Sequence, residues 1–158
     1  MSAERKLMFV CKRNSCRSQM AHGWASELAA GDKSIIVYSS GLQGSRVHPT
    51  AIKAMAEAGV DISSHTSNFL DEYDPKDFHA VVSMCGCGHS LPEDWQQCQI
   101  FQDWDLTDPD GQPYDVFQEV RGQVKERVEN LLSMVRGDVP MPATATAWNA
   151  GQVLDREC

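Results

Sequence analysis

Short apolar runs alternate along this chain with segments of helical periodicity, and no other feature restricts the fold as strongly. The strand candidates are residues 7–10, 35–38, 80–84 and 100–104, and the helix candidates are 16–30, 49–58 and 116–135. Two parallel strands need a long crossover between them, and a helix usually provides it. The alternation therefore predicts an α/β fold with a parallel sheet covered by helices on both faces.

Reactive residues follow three of the predicted strands. Cys11 ends the first run, Cys85 follows the third, and Asp108 lies shortly after the fourth. Open parallel sheets bind ligands where loops leave the carboxyl ends of their strands. We therefore expect these three loops to share one rim of the sheet.

The length and the charge of the chain restrict the class of protein. A chain of 158 residues fits one domain, which we place at residues 1–136. Residues 137–158 carry Pro, Ala and Thr without apolar periodicity and are predicted to form a mobile tail. The net charge of −8 argues against a general affinity for nucleic acid or an anionic membrane.

The N-terminal segment and the cysteines indicate the compartment. Met1 to Lys6 lacks the apolar stretch of a signal peptide, and no apolar run approaches the roughly 20 residues that cross a bilayer. A cytoplasmic protein is therefore expected. Because the cytosol keeps thiols reduced, the six cysteines are predicted to be reactive or metal-binding rather than structural crosslinks.

A CX5R motif runs from Cys11 to Arg17 and is followed by Ser18. A loop between a strand and a helix points backbone N–H groups at a tetrahedral anion, which the helix dipole also attracts. Arg17 can bind two anion oxygens through its planar guanidinium. Cys11, beside Arg17 and the Ser18 hydroxyl, is expected to be a thiolate nucleophile. The residues predicted to bind the oxyanion are Lys12, Arg13, Asn14, Ser15, Cys16 and Arg17.

Simpler interpretations of this motif exist. CX5R often arises by chance, and a buried cysteine with a surface arginine would give the same letters. Asn14 favours the functional interpretation because Asn tolerates left-handed backbone angles. Lys12 and Arg13 either add a local positive field to an acidic chain or are ordinary solvated charges. Cys16 is expected to be a small buried side chain beneath the loop.

Cys85 and Cys87 form a CXC pair around Gly86. Two thiols supply two electrons by forming a disulfide, and the strained ring across one residue would be easy to reduce. The alternative is zinc, with Cys85, Cys87, His89 and Cys98 as ligands. Zinc cysteines are usually separated by about 2–4 residues, which favours the redox interpretation.

Asp108 precedes Pro109, and Asp110 with Gly111 completes a turn-like segment. Such a loop could hold the Asp108 carboxylate over the oxyanion site as a general acid. Asp-Pro is also common in structural loops. The histidines His48, His65 and His79 are expected to be caps, turn residues or packed side chains, and the tryptophans Trp24, Trp95 and Trp104 are expected to lie in the core.

Several motifs together resemble a known family. They are CKRNSCRSQMA at 11–21, RVHPTAI at 46–52, VDISSHTS at 60–67, SMCGCG at 83–88, DPDGQ at 108–112 and VRGQVKERVENL at 120–131. In this order they closely resemble the arsenate reductases built on the low-molecular-weight tyrosine phosphatase fold, over about residues 6–136. The CGCG segment is similar to that of the branch that draws electrons from glutathione and glutaredoxin.

The resemblance implies a central four-stranded parallel sheet, Cys11 as nucleophile, Arg17 as oxyanion ligand and Asp108 as general acid. It also implies that Cys85 and Cys87 are the redox cysteines that reduce arsenate to arsenite. Glutathione is the expected electron donor and glutaredoxin the expected partner, with thioredoxin as the alternative. No bound cofactor and no metal are expected.

Two departures and two rival functions remain open. Thioredoxin-linked members carry acidic residues that help hold a potassium ion where this chain has His22 and Asn68, so a cation site is not expected. The tail after Arg136, Cys98 and Cys158 inherit no role from the family. The rivals are a phosphotyrosine phosphatase using the same loop, and a non-enzymatic thiol protein that sequesters arsenite or zinc.

Overall fold

A computed structural model describes residues 4–43, 45–84 and 91–137 of the chain. Its strands are β1 (Arg5–Cys11), β2 (Ile35–Gly41), β3 (Ala80–Ser83) and β4 (Ile100–Asp103), and its α-helices are α1 (Arg17–Leu28), α2 (Pro49–Glu57) and α3 (Tyr114–Arg136). Short 3-10 helices lie at Leu70–Glu72, Pro75–Asp77 and Glu93–Gln96. The predicted strands and helices are confirmed, and most differ from the prediction by a few residues at their ends.

The four strands form one parallel sheet in the order β2-β1-β3-β4. The chain leaves β1 toward β2 on one side and returns to β3 on the other side, so the strand order reverses around β1. This reversal opens a crevice at the carboxyl end of β1, where open parallel sheets bind their ligands. Cys11 is the last residue of β1 and pairs in register with Gly41 of β2.

Alternate side chains of the strands enter two cores on opposite faces of the sheet. On one face, Leu7, Phe9 and Val82 pack with α1, α2 and α3 in the larger cluster. On the other face, Met8 and Val81 pack with residues of the 3-10 helices and their flanking loops. The prediction of helices on both faces is confirmed, with α-helices on one face and 3-10 helices on the other. Trp24, Trp95 and Trp104 are all buried, as predicted.

The ends of two helices bear on the site and on the tail. The first turn of α1 has no acidic residue and no side-chain cap, so its backbone N–H groups and its positive dipole end are available to an anion. Helix α3 ends at Gly137, whose φ of 80° is the left-handed conformation that favours glycine at a helix end. Residues 138–158 lie outside the described residues, so the predicted mobile tail stays a prediction. Among the described helices, none is long and apolar enough to cross a membrane.

Candidate active site

The loop between β1 and α1 is held in its shape by Asn14. The φ of Asn14 is 52°, the only positive value at a non-glycine position among the described residues. Its side-chain amide donates to Ser18 Oγ at 2.8 Å, and its Oδ1 accepts from the Asn68 backbone N–H at 3.0 Å. Asn14 is completely buried. The prediction of a left-handed Asn14 is confirmed, and its side chain braces the loop from beneath.

Cys11 lies at the base of this loop, only 3% exposed, with its Sγ 2.9 Å from Ser18 Oγ. Because the Asn14 side-chain nitrogen can only donate, Ser18 Oγ accepts that bond, and the hydroxyl proton of Ser18 is left to donate to the Cys11 sulfur. A hydroxyl that donates to a thiolate is a charge-assisted hydrogen bond and stabilises the anion. The local network therefore suits a nucleophilic sulfur at the N-terminus of α1.

Arg17 connects the oxyanion loop to the segments that follow β3 and β4. One of its Nη1 hydrogens donates to the Met84 carbonyl at 3.0 Å and another to the Leu106 carbonyl at 3.1 Å. Its Nε is buried and has no hydrogen-bond partner. A buried donor without a partner is costly in a folded protein unless a ligand satisfies it. The guanidinium is thus fixed through Nη1, and its unpartnered Nε can donate to an anion.

These groups surround a small cavity of ≈ 130 Å³. Its lining consists of Cys11, Lys12, Arg13, Ser15, Cys16, Arg17, Asp108 and Asp110. Of the predicted site residues that the structure describes, all but Asn14 and Ser18 line this cavity, and the side chains of those two lie beneath the loop and orient it. Asp110 joins the lining although the sequence had suggested only a turn role for it.

Asp108 lies at the mouth of the cavity, with 56% of its side chain exposed and its Oδ2 3.5 Å from Arg17 Nη2. Its Oδ1 accepts from the Asp110 backbone N–H at 3.1 Å, which closes the predicted turn. Gly111 continues that turn at a φ of 79°. The carboxyl thus stands on the open side of the cavity, opposite the sulfur at its base.

Cys16 differs from Cys11 although both line the cavity. Burial, and secondly the charge of Asp108, raise the pKa of the Cys16 thiol to about 12. Cys16 therefore stays a protonated thiol at neutral pH and does not compete with Cys11 as a nucleophile. Its expected role as a small buried side chain is confirmed, at 4% exposure.

Three residues that support the loop escaped the sequence analysis. A Cβ on Gly41 would lie 2.7 Å from the Arg13 carbonyl carbon and from Asn14 N, so only glycine fits there. Gln19 donates from its side chain to the carbonyls of Asn14 and Thr66, both at 3.0 Å. Asn68 donates its backbone N–H to Asn14. The one available signal was a glycine at the end of a strand beside the CX5R loop.

The predicted redox cysteines Cys85 and Cys87 lie outside the described residues, and so does His89 of the zinc alternative. Met84, which accepts from Arg17, marks where the chain leaves β3 toward them. Cys98 lies on the other face of the sheet, where burial raises the pKa of its thiol to about 11. No group of three or more His, Cys, Asp or Glu residues in the described part of the chain could hold a metal.

Comparison with known proteins places these features in a family. Residues 6–141 match the model of the family described as low molecular weight phosphotyrosine protein phosphatase. A glutaredoxin arsenate reductase of Synechocystis sp. is 57% identical over 131 residues, which cover 83% of this chain and 98% of that protein. An arsenate reductase of Staphylococcus aureus is 40% identical over 134 residues, 82% of this chain and 98% of that protein.

Solved structures give the same result for the fold. A structure of an arsenate reductase in the phosphate binding state has a TM-score of 0.78 at 58% identity, and the match covers 82% of this chain and 98% of that chain. A low molecular weight protein tyrosine phosphatase from T. tengcongensis has a TM-score of 0.72 at 25% identity, with 83% and 99% covered. The reductases and the phosphatase therefore share one architecture with this chain.

Proposed function

The chain belongs to the low molecular weight phosphotyrosine protein phosphatase family, and from that premise we propose that it is an arsenate reductase with glutaredoxin as its partner. The 57% identity to a glutaredoxin arsenate reductase, over nearly the whole of that protein, supports this activity. The site supports it independently, because it offers an oxyanion cradle over a buried sulfur. The observation that carries most weight is the buried, unpartnered Nε of Arg17 beside that sulfur.

In the first step, the Cys11 thiolate attacks the arsenic of arsenate held by the backbone of the oxyanion loop and by Arg17. An S–As bond forms, and an arsenate oxygen departs as water after taking a proton from Asp108. Arg17 compensates the anion charge that the acidic chain would otherwise repel. Lys12 and Arg13, both exposed at the cavity, add to this local positive field.

The second step is the reduction, for which two thiols supply the two electrons. A second thiolate attacks the Cys11 sulfur, an S–S bond forms, and the S–As bond breaks with its electron pair remaining on arsenic. Arsenic passes from As(V) to As(III), and each sulfur loses one electron. We assign the second thiol to Cys85, or to glutathione in its place, and Cys87 then exchanges to give a Cys85–Cys87 disulfide.

Glutathione and glutaredoxin reset the disulfide in this proposal, because thiol–disulfide exchange needs a thiol of matching potential. The reducing cytoplasm supplies both, so we place the protein in that compartment. The Cys11 sulfur is buried at the base of the loop, near the point where the chain leaves β3. No resident cofactor takes part in this scheme.

The experiment that tests the function measures arsenate turnover with glutathione plus glutaredoxin and, in parallel, with thioredoxin plus its reductase. We expect turnover with the first pair. Cys11→Ser should abolish it, whereas the matched control Cys98→Ser should not change it, because Cys98 lies on the opposite face of the sheet. Turnover in Cys11→Ser would contradict the nucleophile, and turnover with thioredoxin alone would contradict the partner.

A second measurement separates the reductase from its phosphatase relatives. Cys85→Ser and Cys87→Ser should each greatly lower arsenate turnover while leaving hydrolysis of a simple aryl phosphate intact, since hydrolysis ends with water. Mass spectrometry after arsenate treatment and alkylation without reductant should find a disulfide at Cys85 or Cys87, or a glutathione adduct. If both cysteines stay free through many turnovers, the redox assignment is wrong and a phosphatase takes its place.

A further inference from the structure

His48 is bonded to three separate parts of the site. Its backbone N–H donates to the Ser15 carbonyl of the oxyanion loop at 3.0 Å. Its Nδ1 accepts from the Thr50 backbone N–H at 3.1 Å and so caps the N-terminus of α2. Its Nε2 lies 3.0 Å from Asp110 Oδ1. One residue thus joins the oxyanion loop through its backbone, and a helix and the loop that carries Asp108 through its side chain.

The bonds of His48 fix its tautomer. A backbone N–H can only donate, so Nδ1 must be the unprotonated nitrogen and the ring proton lies on Nε2. That proton is therefore donated to Asp110 Oδ1. The ring also packs against Phe117 of α3, with centroids 5.2 Å apart, which fixes its plane. His48 is consequently a fixed hydrogen-bond donor to the loop that carries Asp108 and Asp110, which we call the acid loop.

Asp110 passes this constraint to Asp108, because its backbone N–H donates to Asp108 Oδ1 at 3.1 Å. The other side-chain contact of Asp110 is weak, since Arg13 Nη1 lies 3.9 Å away and both side chains are about half exposed. Asp108 itself is largely exposed and has a 3.5 Å contact with Arg17. The shortest side-chain bond that ties this turn to a rigid element is the one from His48.

We propose that His48 is a positioning residue for the arsenate reaction, which holds the Asp108 carboxyl over the oxyanion loop through Asp110. This proposal rests on the proposed function, with Asp108 as the general acid. His48 does not line the cavity and need not touch the substrate. If the carboxyl that protonates the departing oxygen is not held in position, the rate of the chemical step falls even where anion binding is unchanged.

Two substitutions separate the cap of α2 from the bond to Asp110. In His48→Asn the side-chain oxygen can still accept from Thr50, because Asn is a preferred capping residue, but the amide is too short to reach Asp110. In His48→Gln the amide nitrogen takes the place of Nε2, whereas the capping acceptor is lost. We therefore expect His48→Asn to lower activity and His48→Gln to retain it, although His48→Gln should have the lower Tm because it loses the cap.

The readout is the rate at which free thiols disappear after arsenate is added to the reduced protein. His48→Asn should slow this rate about tenfold, the scale of one hydrogen bond to a charged group, with the KM for arsenate changed less than about twofold. His48→Gln should stay within about threefold of wild type. If Gln loses as much rate as Asn, or Asn loses none, the positioning role is wrong.

A double substitution gives the decisive comparison. In an Asp108→Asn background there is no acid to position, so adding His48→Asn should cause no further loss of rate. If His48 acted only by stabilising the fold or the oxyanion loop, the two losses would multiply, and that outcome would overturn the proposal. Failure of the proposed function is distinguishable, because wild-type protein would then consume no thiols with arsenate at all.

Discussion

The oxyanion loop and the acid loop lie on the two sides of one cavity, yet they are built differently. The oxyanion loop is braced from beneath by buried groups, with Asn14 bonded to Ser18 and to Asn68. Asp108, in contrast, has 56% of its side chain exposed and is held by a turn bond from Asp110, to which His48 is bonded, and by a contact from Arg17. In the proposed mechanism, buried groups therefore fix the part of the site that binds the anion, and a few surface contacts hold the carboxyl that delivers the proton.

The difference has a physical reason. A loop that binds a multiply charged anion must keep its N–H groups aligned before the ligand arrives, because reorganisation would consume binding energy. A general acid must exchange its proton with water after each cycle, which requires exposure. The buried Arg17 side chain reaches from the oxyanion loop to the acid loop, since it contacts Asp108 and donates to Leu106 O just before the acid loop.

The largest effect is expected from removing the acidic proton of Asp108 while the rest of the site is left intact. Asp108→Asn should slow the first chemical step by roughly 10²–10⁴, the usual contribution of a general acid. Anion binding should persist, because none of the groups that brace the oxyanion loop changes. Pre-steady-state kinetics of arsenate reduction and inhibition by phosphate would measure the two quantities separately.

An unchanged rate in Asp108→Asn would place the acid elsewhere, with Asp110 as the next carboxyl of the cavity. A loss of phosphate affinity equal to the loss of rate would contradict the division between the two loops. Asp110→Asn is the matched control. Its side-chain oxygen still accepts from His48 and its backbone N–H still reaches Asp108, so it should keep most of the rate.

The bracing of the oxyanion loop is tested by a substitution at Gly41. A Cβ there would meet the backbone of Arg13 and Asn14 at 2.7 Å, so Gly41→Ala must displace the oxyanion loop. We expect phosphate affinity and arsenate turnover to fall together, by about tenfold or more, and the free energy of unfolding to fall by about 1–3 kcal/mol. Isothermal titration with phosphate and urea unfolding provide these values.

Gly122 of α3 offers the control for that substitution, because a Cβ there meets nothing within 4 Å. Gly122→Ala should raise the free energy of unfolding by up to about 1 kcal/mol, since alanine is the better helix former, and should not change activity. If Gly41→Ala kept full phosphate affinity, the buried network would not be what aligns the loop.

Gly41 also illustrates what the sequence could predict and what it could not. The CX5R spacing, the apolar runs and Asp108-Pro109 follow local rules, so the parallel strands and most of the cavity lining were predictable. The supports of the loop come from residues distant in sequence, such as Gly41 and Asn68, whose side chains or backbone meet Asn14 only after the sheet forms. His48 was predicted as a cap, a turn residue or a packed side chain, but its bond to Asp110 depends on where the fold places Asp110.

A smaller effect is expected from a pair of histidines beneath the oxyanion loop. The rings of His22 and His65 lie with centroids 4.4 Å apart, and His65 Nδ1 bonds to Gln19 Oε1, whose amide holds Asn14 O. Burial, and secondly the neighbouring His65, lower the pKa of His22 from 6.5 to about 4. Burial also lowers the pKa of His65.

Because the folded-state pKa of His22 is the lower one, the unfolded chain binds more protons between pH 4 and pH 6.5. The contribution of the neutral histidine is therefore fully present above pH 6.5 and is lost as the pH falls toward 4. By pH 5 the loss should be about 2 kcal/mol. Urea unfolding at pH 7.5 and pH 5 would measure it, and His22→Gln should reduce the difference.

The pH range over which stability is lost distinguishes the His22–His65 pair from the surface carboxylates. Asp32 and Asp61 also have lowered pKa values, through hydrogen bonds from Ser34 and Ser63, but their contributions are lost below their unfolded pKa of 3.8. A wild-type stability that stays constant from pH 7.5 to pH 5, or a His22→Gln variant with the full wild-type slope, would contradict the buried neutral pair. Activity at pH 7.5 should change little in that variant, because His22 does not line the cavity.

The smallest effect is expected from ending the chain after Gly137. Both sides of the cavity lie within the described residues, and so does the core face of α3, where Val124, Val128 and Leu131 are fully buried. Gly137 in its left-handed conformation already ends the helix with backbone bonds to Met134 and Ser133, so the truncated helix keeps its C-terminal cap. The free energy of unfolding should therefore stay within about 0.5 kcal/mol of the full chain, and arsenate turnover should be unchanged. A fall in turnover at unchanged stability would assign a redox role to Cys158, and Cys158→Ser in the full chain would then reproduce it.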